Sequence, residues 1–222
     1  MELILCIESA TKSCSVSLSQ NGKTLQTIEL VSDQYSHSEK LTLFIDQILK
    51  DQQKSFSDLD AVAVSKGPGS YTGLRIGVST AKGICYAIDK PLISISTLEA
   101  MAYGMSLEYP NLIYCPMLDA RRMEVYCAFY GNIESEIEAK VLDLNSFKEE
   151  LDKHSIIFFG DGSDKFKEIV DHPNAKFVDD VFPSATNMSV LAQLAFDQNL
   201  FEDVAYFEPF YLKDFVAGPH KK

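Results

Sequence analysis

The chain has 222 residues, 46% of them hydrophobic and 23% charged, which suits one large domain or two small ones with material for a substantial core. Its formal net charge of -12 opposes unaided binding to nucleic acid or to an anionic membrane, and its tight basic clusters, Arg121-Arg122 and Lys221-Lys222, are too small to track phosphates. The opening Met1-Glu2-Leu3-Ile4-Leu5-Cys6 lacks the basic start and apolar run of a signal peptide, and no stretch approaches membrane-spanning length, so a cytoplasmic location with no membrane contact is expected. Cys6, Cys14, Cys85, Cys115 and Cys127 are scattered without a C-x-x-C pair, which favours free buried thiols over a zinc ribbon or redox motif.

Glu2 to Ser9 reads as a strand and the alternating run Ser13 to Gln20 as a second. Asn21-Gly22 is a two-residue hairpin signal, which makes Lys23 to Val31 a third strand. A helix follows from about Ser38 to Asp51, with Leu41, Phe44, Ile45, Ile48 and Leu49 on one face. Ala61 to Ser65 reads as a short buried strand, and Gly67-Pro68-Gly69-Ser70-Tyr71-Thr72-Gly73 leads from it into a helix. A P-loop needs Lys and then Ser or Thr after its last glycine, where Leu74 and Arg75 stand; a dinucleotide fingerprint needs glycine at Thr72. Two readings stay open: a turn capped by Ser70 or Thr72, or backbone brought close to another molecule.

On a wheel from Gly73 to Ile88, Arg75, Ser79, Lys82 and Tyr86 share one narrow polar face. Leu74, Val78, Ala81 and Cys85 lie on one flank, and Ile76, Gly77, Thr80, Gly83, Ile84 and Ala87 on the other. That is more apolar surface than a single buried stripe requires. An interior glycine costs about 1 kcal/mol relative to alanine, so Gly77 and Gly83 imply close approach by a neighbour, either the chain's own sheet or a partner chain. Pro91 to Ser96 is another strand, after which Thr97 caps a helix containing Ala100 and Met101.

The second half repeats this plan. Leu112 to Leu118, Glu124 to Tyr130 and Glu136 to Leu142 read as strands, Asn145 to Leu151 as a helix, and Ser155 to Phe159 as a buried strand ending in Gly160-Asp161-Gly162-Ser163. A helix from about Asp164 to Val170, a strand from Lys176 to Val178 and a helix from Asn187 to Gln198 complete it. The repeat gives expected domains of residues 1–108 and 109–222. An acid ends the first strand of each half, Glu8 and Asp119, placed for phosphate, metal or water chemistry at a cleft, or for capping its own turn.

The chain resembles the TsaB (YeaZ) family through Leu3-Ile4-Leu5-Cys6-Ile7-Glu8-Ser9-Ala10-Thr11, His37-Ser38-Glu39-Lys40-Leu41, the segment Gly67 to Gly77, Ser96-Thr97-Leu98, and Asp119-Ala120-Arg121-Arg122-Met123-Glu124-Val125-Tyr126. The likeness is specific over roughly the first 130 residues. It implies the α/β actin-like ATPase fold of sugar kinases, Hsp70 and actin, with two duplicated RNase H-like halves. It also implies a non-catalytic partner subunit that binds and supports the transferase TsaD and helps recruit the ATPase TsaE. TsaD transfers threonylcarbamoyl onto adenosine 37 of tRNA. On the same resemblance, ATP and Mg serve the complex rather than this chain alone, tRNA is met only through the complex, and the free chain self-associates as a dimer.

The residues carry part of this argument themselves. The catalytic paralogue has an H-x-x-x-H pair; here Leu41 stands where a second histidine would follow His37, so no metal site is expected. Asp161 and Asp164 in the second glycine turn would repel phosphate, leaving Glu8, Ser9, Thr11, Asp119, Gly160 and Gly162 as a vestigial nucleotide cleft. The family has carried a peptidase label, yet there is no H-E-x-x-H and no evident nucleophile–base pair, so no catalytic residue is assigned. The expected partner interface comprises Leu41, Ile45, Gly73, Arg75, Ile76, Gly77, Thr80, Ala81 and Ile84, with Gly77→Leu expected to keep the fold and abolish docking. The alternative is an actin-like phosphotransferase or ATPase using Glu8 or Asp119 on a small substrate.

Overall fold

The computed structural model describes residues 2–32 and 37–213, and of His37 and Ser38 the backbone alone. The first half runs β1 (Leu3–Glu8), β2 (Ser13–Gln20), β3 (Lys23–Val31), α1 (His37–Asp51), β4 (Ala61–Gly67), α2 (Tyr71–Ile88), β5 (Leu92–Ser96) and α3 (Thr97–Glu108). The second runs β6 (Ile113–Asp119), β7 (Glu124–Cys127), β8 (Tyr130–Gly131), β9 (Glu138–Val141), α4 (Lys148–Leu151), β10 (Ile156–Phe159), α5 (Ser163–Lys167), β11 (Ala175–Val178) and α6 (Ser189–Asp197).

The first sheet has the order β3-β2-β1-β4-β5 and the second β11-β10-β6-β7-β9, with β8 also paired to β6. In each, an antiparallel meander joins two strands that run parallel to its first strand. The central strands β1, β4 and β10 are continuous apolar runs because both faces of each sheet are covered. One face of the first sheet packs Leu5, Ile7, Val62 and Val64 against Leu41, Ile45 and Ile48 of α1 and Val78 and Ala81 of α2. The other packs Ile4, Cys6, Ala63 and Ile93 against Ala100, Met188 and Ala192. Leu98, Met101 and Met105 of α3 meet Leu118, Ile157 and Phe159 of the second sheet, so α3 lies between the two. All five cysteines are buried and free.

Four local expectations change. The strand expected over Glu124 to Tyr130 breaks after Cys127, where Phe129 N–H leaves the ladder for Ser135 Oγ at 2.9 Å and its ring packs edge-on to Phe147. The helix expected from Asn145 starts at Lys148, because Asp143 Oδ1 accepts from Asn145 N at 2.9 Å and closes a turn first. Ser96, not Thr97, caps α3, its Oγ accepting from Glu99 N at 3.4 Å. The last helix begins as a 3-10 turn, Ala185–Met188, and packs on the first sheet rather than completing the second half.

That docking uses an unusual face of β2. Ser13, Ser15, Ser17 and Ser19 alternate with Cys14, Val16 and Leu18 yet are all buried. Ser15 Oγ accepts from Ala185 N and Ser17 Oγ donates to Ala185 O, each at 2.8 Å, so one residue's backbone is held from both sides. Thr24 and Ser189 hydroxyls add a contact at 2.7 Å.

Candidate docking face and cleft

Ser70 caps α2: its Oγ accepts from Gly73 N at 3.3 Å, and Thr72 does not take that role. Leu74, Val78, Ala81 and Cys85 are buried. Gly73 and Gly77 face inward as well. A Cβ on Gly73 would overlap the Ser9 carbonyl oxygen, and one on Gly77 would overlap Ser9 Oγ. These glycines seat α2 on the chain's own β1–β2 turn rather than admitting a partner. Gly77→Leu would therefore force Ser9 or the helix to shift, a cost to the fold that the expectation from the sequence did not include. Leu41, Ile45 and Ala81, also expected at an interface, are core residues at 0%, 2% and 0% exposure.

The rest of the expected face does reach the surface. Arg75 is exposed, while Ile76, Thr80 and Ile84 are half-buried, the two isoleucines resting on the core with their outer edges open. The structure adds residues the sequence argument did not select. Leu43 of α1 is 59% exposed and Tyr86 of α2 is 83% exposed. Gly83, which the sequence marked with Gly77 for close approach, is exposed, and a Cβ there would meet nothing within 4 Å among the described residues.

The polar row of α2 is occupied by the chain's own late segment. Lys82 Nζ donates to Ala205 O at 3.1 Å and Phe207 O at 2.9 Å. Arg75 lies 4.1 Å from the Tyr71 ring centroid and donates through Nε to Tyr211 OH at 3.3 Å, so a partner's acid is not its present contact. Phe210 N donates to Lys66 O at 2.7 Å, and Val204 and Phe207 pack on the core. Phe207, Phe210 and Tyr211 belong with Phe215 to an aromatic-rich tail whose sequence suggests core or interface use, and Phe215 lies outside the described residues. Between α2 and this strap is a groove of about 590 Å³ lined by Lys82, Gly83, Tyr86, Asp203, Val204 and Ala205.

The cleft residues are spoken for. Glu8 is fully buried, and its Oε1 accepts from Ala10 N at 2.6 Å and Ser65 Oγ at 2.9 Å. Burial pushes its carboxyl up to about 7 against the pull of those bonds. Ser9 and Thr11 are buried beside it. Asp119 Oδ1 takes Lys165 Nζ at 2.8 Å, while Asp119 N donates to Asp161 Oδ1 at 3.0 Å. Desolvation raises the Asp161 carboxyl above its usual range. A Cβ on Gly160 would overlap Met117 O, and one on Gly162 would crowd Leu118, so both glycines serve packing against β6. A buried carboxyl, a lysine-paired one and two covered glycines do not fit a Mg-nucleotide. Among the described residues no group of three His, Cys, Asp or Glu side chains is arranged to hold a metal ion. No described helix is long and apolar enough to cross a membrane.

Two five-stranded paths of the same order, each sheet flanked by helices and joined through α3, define a duplicated α/β protein of the actin-like fold. The family model described as TsaD, tRNA N6-adenosine threonylcarbamoyltransferase, matches residues 31–220. The tRNA threonylcarbamoyladenosine biosynthesis protein TsaB of Escherichia coli (strain K12) is 31% identical over 224 residues, covering 96% of each chain. The chain belongs to the TsaB family. A tRNA N6-adenosine threonylcarbamoyltransferase of Staphylococcus saprophyticus is 35% identical over 123 residues, 49% of this chain and 36% of that protein. A crystal structure described as an uncharacterized protein with similarity to peptidase YEAZ, from Pseudomonas aeruginosa, superposes with TM-score 0.82 at 24% identity, covering 96% of this chain and 100% of that one.

Proposed function

We propose that this chain works in tRNA threonylcarbamoyladenosine biosynthesis as a non-catalytic subunit that docks onto a TsaD-type transferase through the outer stripe of α2 and the adjoining edge of α1. In this reading it supports modification of adenosine 37 and recruitment of the ATPase TsaE. ATP and Mg serve the complex, the chain meets tRNA only there, and the same face pairs two copies when the chain is alone. The net charge of -12 agrees with an indirect tRNA contact. The occupied cleft agrees with chemistry residing in the partner.

Gly83 is the observation that carries the reading. An interior helix glycine costs about 1 kcal/mol relative to alanine. Gly73 and Gly77 recover that cost through contact with Ser9, whereas Gly83 opens onto empty space between Tyr86 and the strap. A glycine for whose missing side chain the described residues show no use is explained by close approach of a second chain. The first side-chain atom added at Gly83 meets nothing within 4 Å among the described residues, so Gly83→Leu tests docking with the spectrum as its check on folding. The expected result is an unchanged circular dichroism spectrum with loss of co-purification on a tagged TsaD-type transferase from the same organism. Wild-type levels of co-purification would reject the reading.

A further inference from the structure

Glu8 presents an oddity. It is a carboxyl at 0% exposure, its Oε1 holds two donors, and its Oε2 is buried with no hydrogen-bond partner among the described residues. Such a group is costly to keep unless the bonds it makes are needed. Its carboxyl does not touch solvent, so its bonds within the chain are where its use is sought.

Oε1 fixes the amide of Ala10 and, through Ser65, ties the end of β1 to β4. The turn fixed in this way then makes the contacts that seat α2. Ala10 O accepts from Ser70 N, the capping residue, at 2.6 Å. Ser9 Oγ donates to Gly73 O at 2.9 Å, the carbonyl that the helix ladder also uses. Gly69, Gly73 and Gly77 all lie where a Cβ would overlap atoms of Ser9 or Ala10. Three glycines of the Gly67 to Gly77 motif are thus shaped to one two-residue turn, and that turn is shaped by one carboxyl oxygen.

We propose that Glu8 is the positioning residue of the docking helix, its Oε1 setting the Ser9–Ala10 turn that fixes where α2 begins and how it lies on the sheet. The inference rests on the docking reading for its purpose, while its structural part stands on the chain alone. The carboxyl's titration, pushed up to about 7, agrees with a group that works as a neutral acceptor below that pH.

Hydrogen exchange on the purified full chain tests it. In Glu8→Ala, amides of residues 70 to 78 are expected to exchange at least about tenfold faster, the order of one lost buried hydrogen bond, while amides of β10 and β6 keep wild-type protection. Glu8→Gln retains an oxygen at the same place and is expected to restore protection. Affinity for the TsaD-type transferase of the same organism should fall about tenfold in Glu8→Ala and recover in Glu8→Gln. Should Glu8→Ala fail to fold, Ser65→Ala gives the same readout, with faster exchange confined to the turn and the start of α2. Unchanged protection of α2, loss spread evenly over both sheets, or Glu8→Gln behaving like Glu8→Ala would each overturn the inference. If the exchange pattern holds while wild-type chain does not bind the transferase, the docking reading fails and the seating role survives.

Discussion

Replacing Glu8 by Gln removes the titration of a carboxyl that burial has pushed from 4.5 to about 7. Between those values the unfolded chain has released a proton that the folded chain still holds. Stability therefore falls as pH rises through this window and levels off above about 7. The full span is about 3 kcal/mol at 1.36 kcal/mol per pKa unit. About 2 kcal/mol of it falls between about pH 5.5 and 8, clear of the isoelectric point near 4.7. Glu8 is the one titrating group that the substitution removes, so the difference between the two proteins reports on it. Urea unfolding followed by circular dichroism across that range should show Glu8→Gln gaining about 2 kcal/mol on the wild type as pH rises. A difference that stays flat would refute the reasoning. So would a wild type that gains on the variant, because the carboxylate would then be ionised and stabilised by its donors.

Two alanines on α2 should act with opposite sign. Gly77→Ala meets Ser9 Oγ and is expected to lower stability by about 1–3 kcal/mol, whereas Gly83→Ala points into open space and should raise it by up to about 1 kcal/mol, both read by thermal or urea unfolding. Lys82→Met removes both bonds to Ala205 O and Phe207 O; limited chymotrypsin digestion should cut the 206–210 region several-fold faster, with the main unfolding transition unmoved. Phe158→Ala, emptying the aromatic cluster with Phe147, Phe166 and Phe177, should cost about 3–5 kcal/mol in urea unfolding.

The repeated order of strands was readable because Leu3 to Ile7, Ala61 to Val64 and Ile156 to Phe159 are uninterrupted apolar runs set in the same sequence of meander, helix and strand. The glycine motif announced close contact, but a missing side chain carries no direction. Gly77 points to Ser9 and Gly83 to solvent, and nothing in the sequence separates them. Leu41 and Ile45 were expected on the interface from their helical spacing, which marks an apolar face without saying what covers it; the first sheet does. Lys82 was legible as polar. Its use as a clamp on the backbone of residues 205 and 207 depends on a contact more than 120 positions away. At Glu8 the acid was visible and its burial was not, since that follows from the turn closing over it.

The serine column of β2 reaches across to Ala185, some 170 positions later. A ribosome delivers β2 long before the segment that satisfies it. Until then Ser15 and Ser17 lack their Ala185 partner, and the Ile4–Ala63 side of the first sheet has Ala100 of α3 against it but not yet Met188 and Ala192. A nascent chain stopped near residue 110 would therefore present a greasy, half-finished slab to chaperones. Completion of the first half is a closing event, reached when the segment Ala185–Asp197 is laid back onto the first sheet.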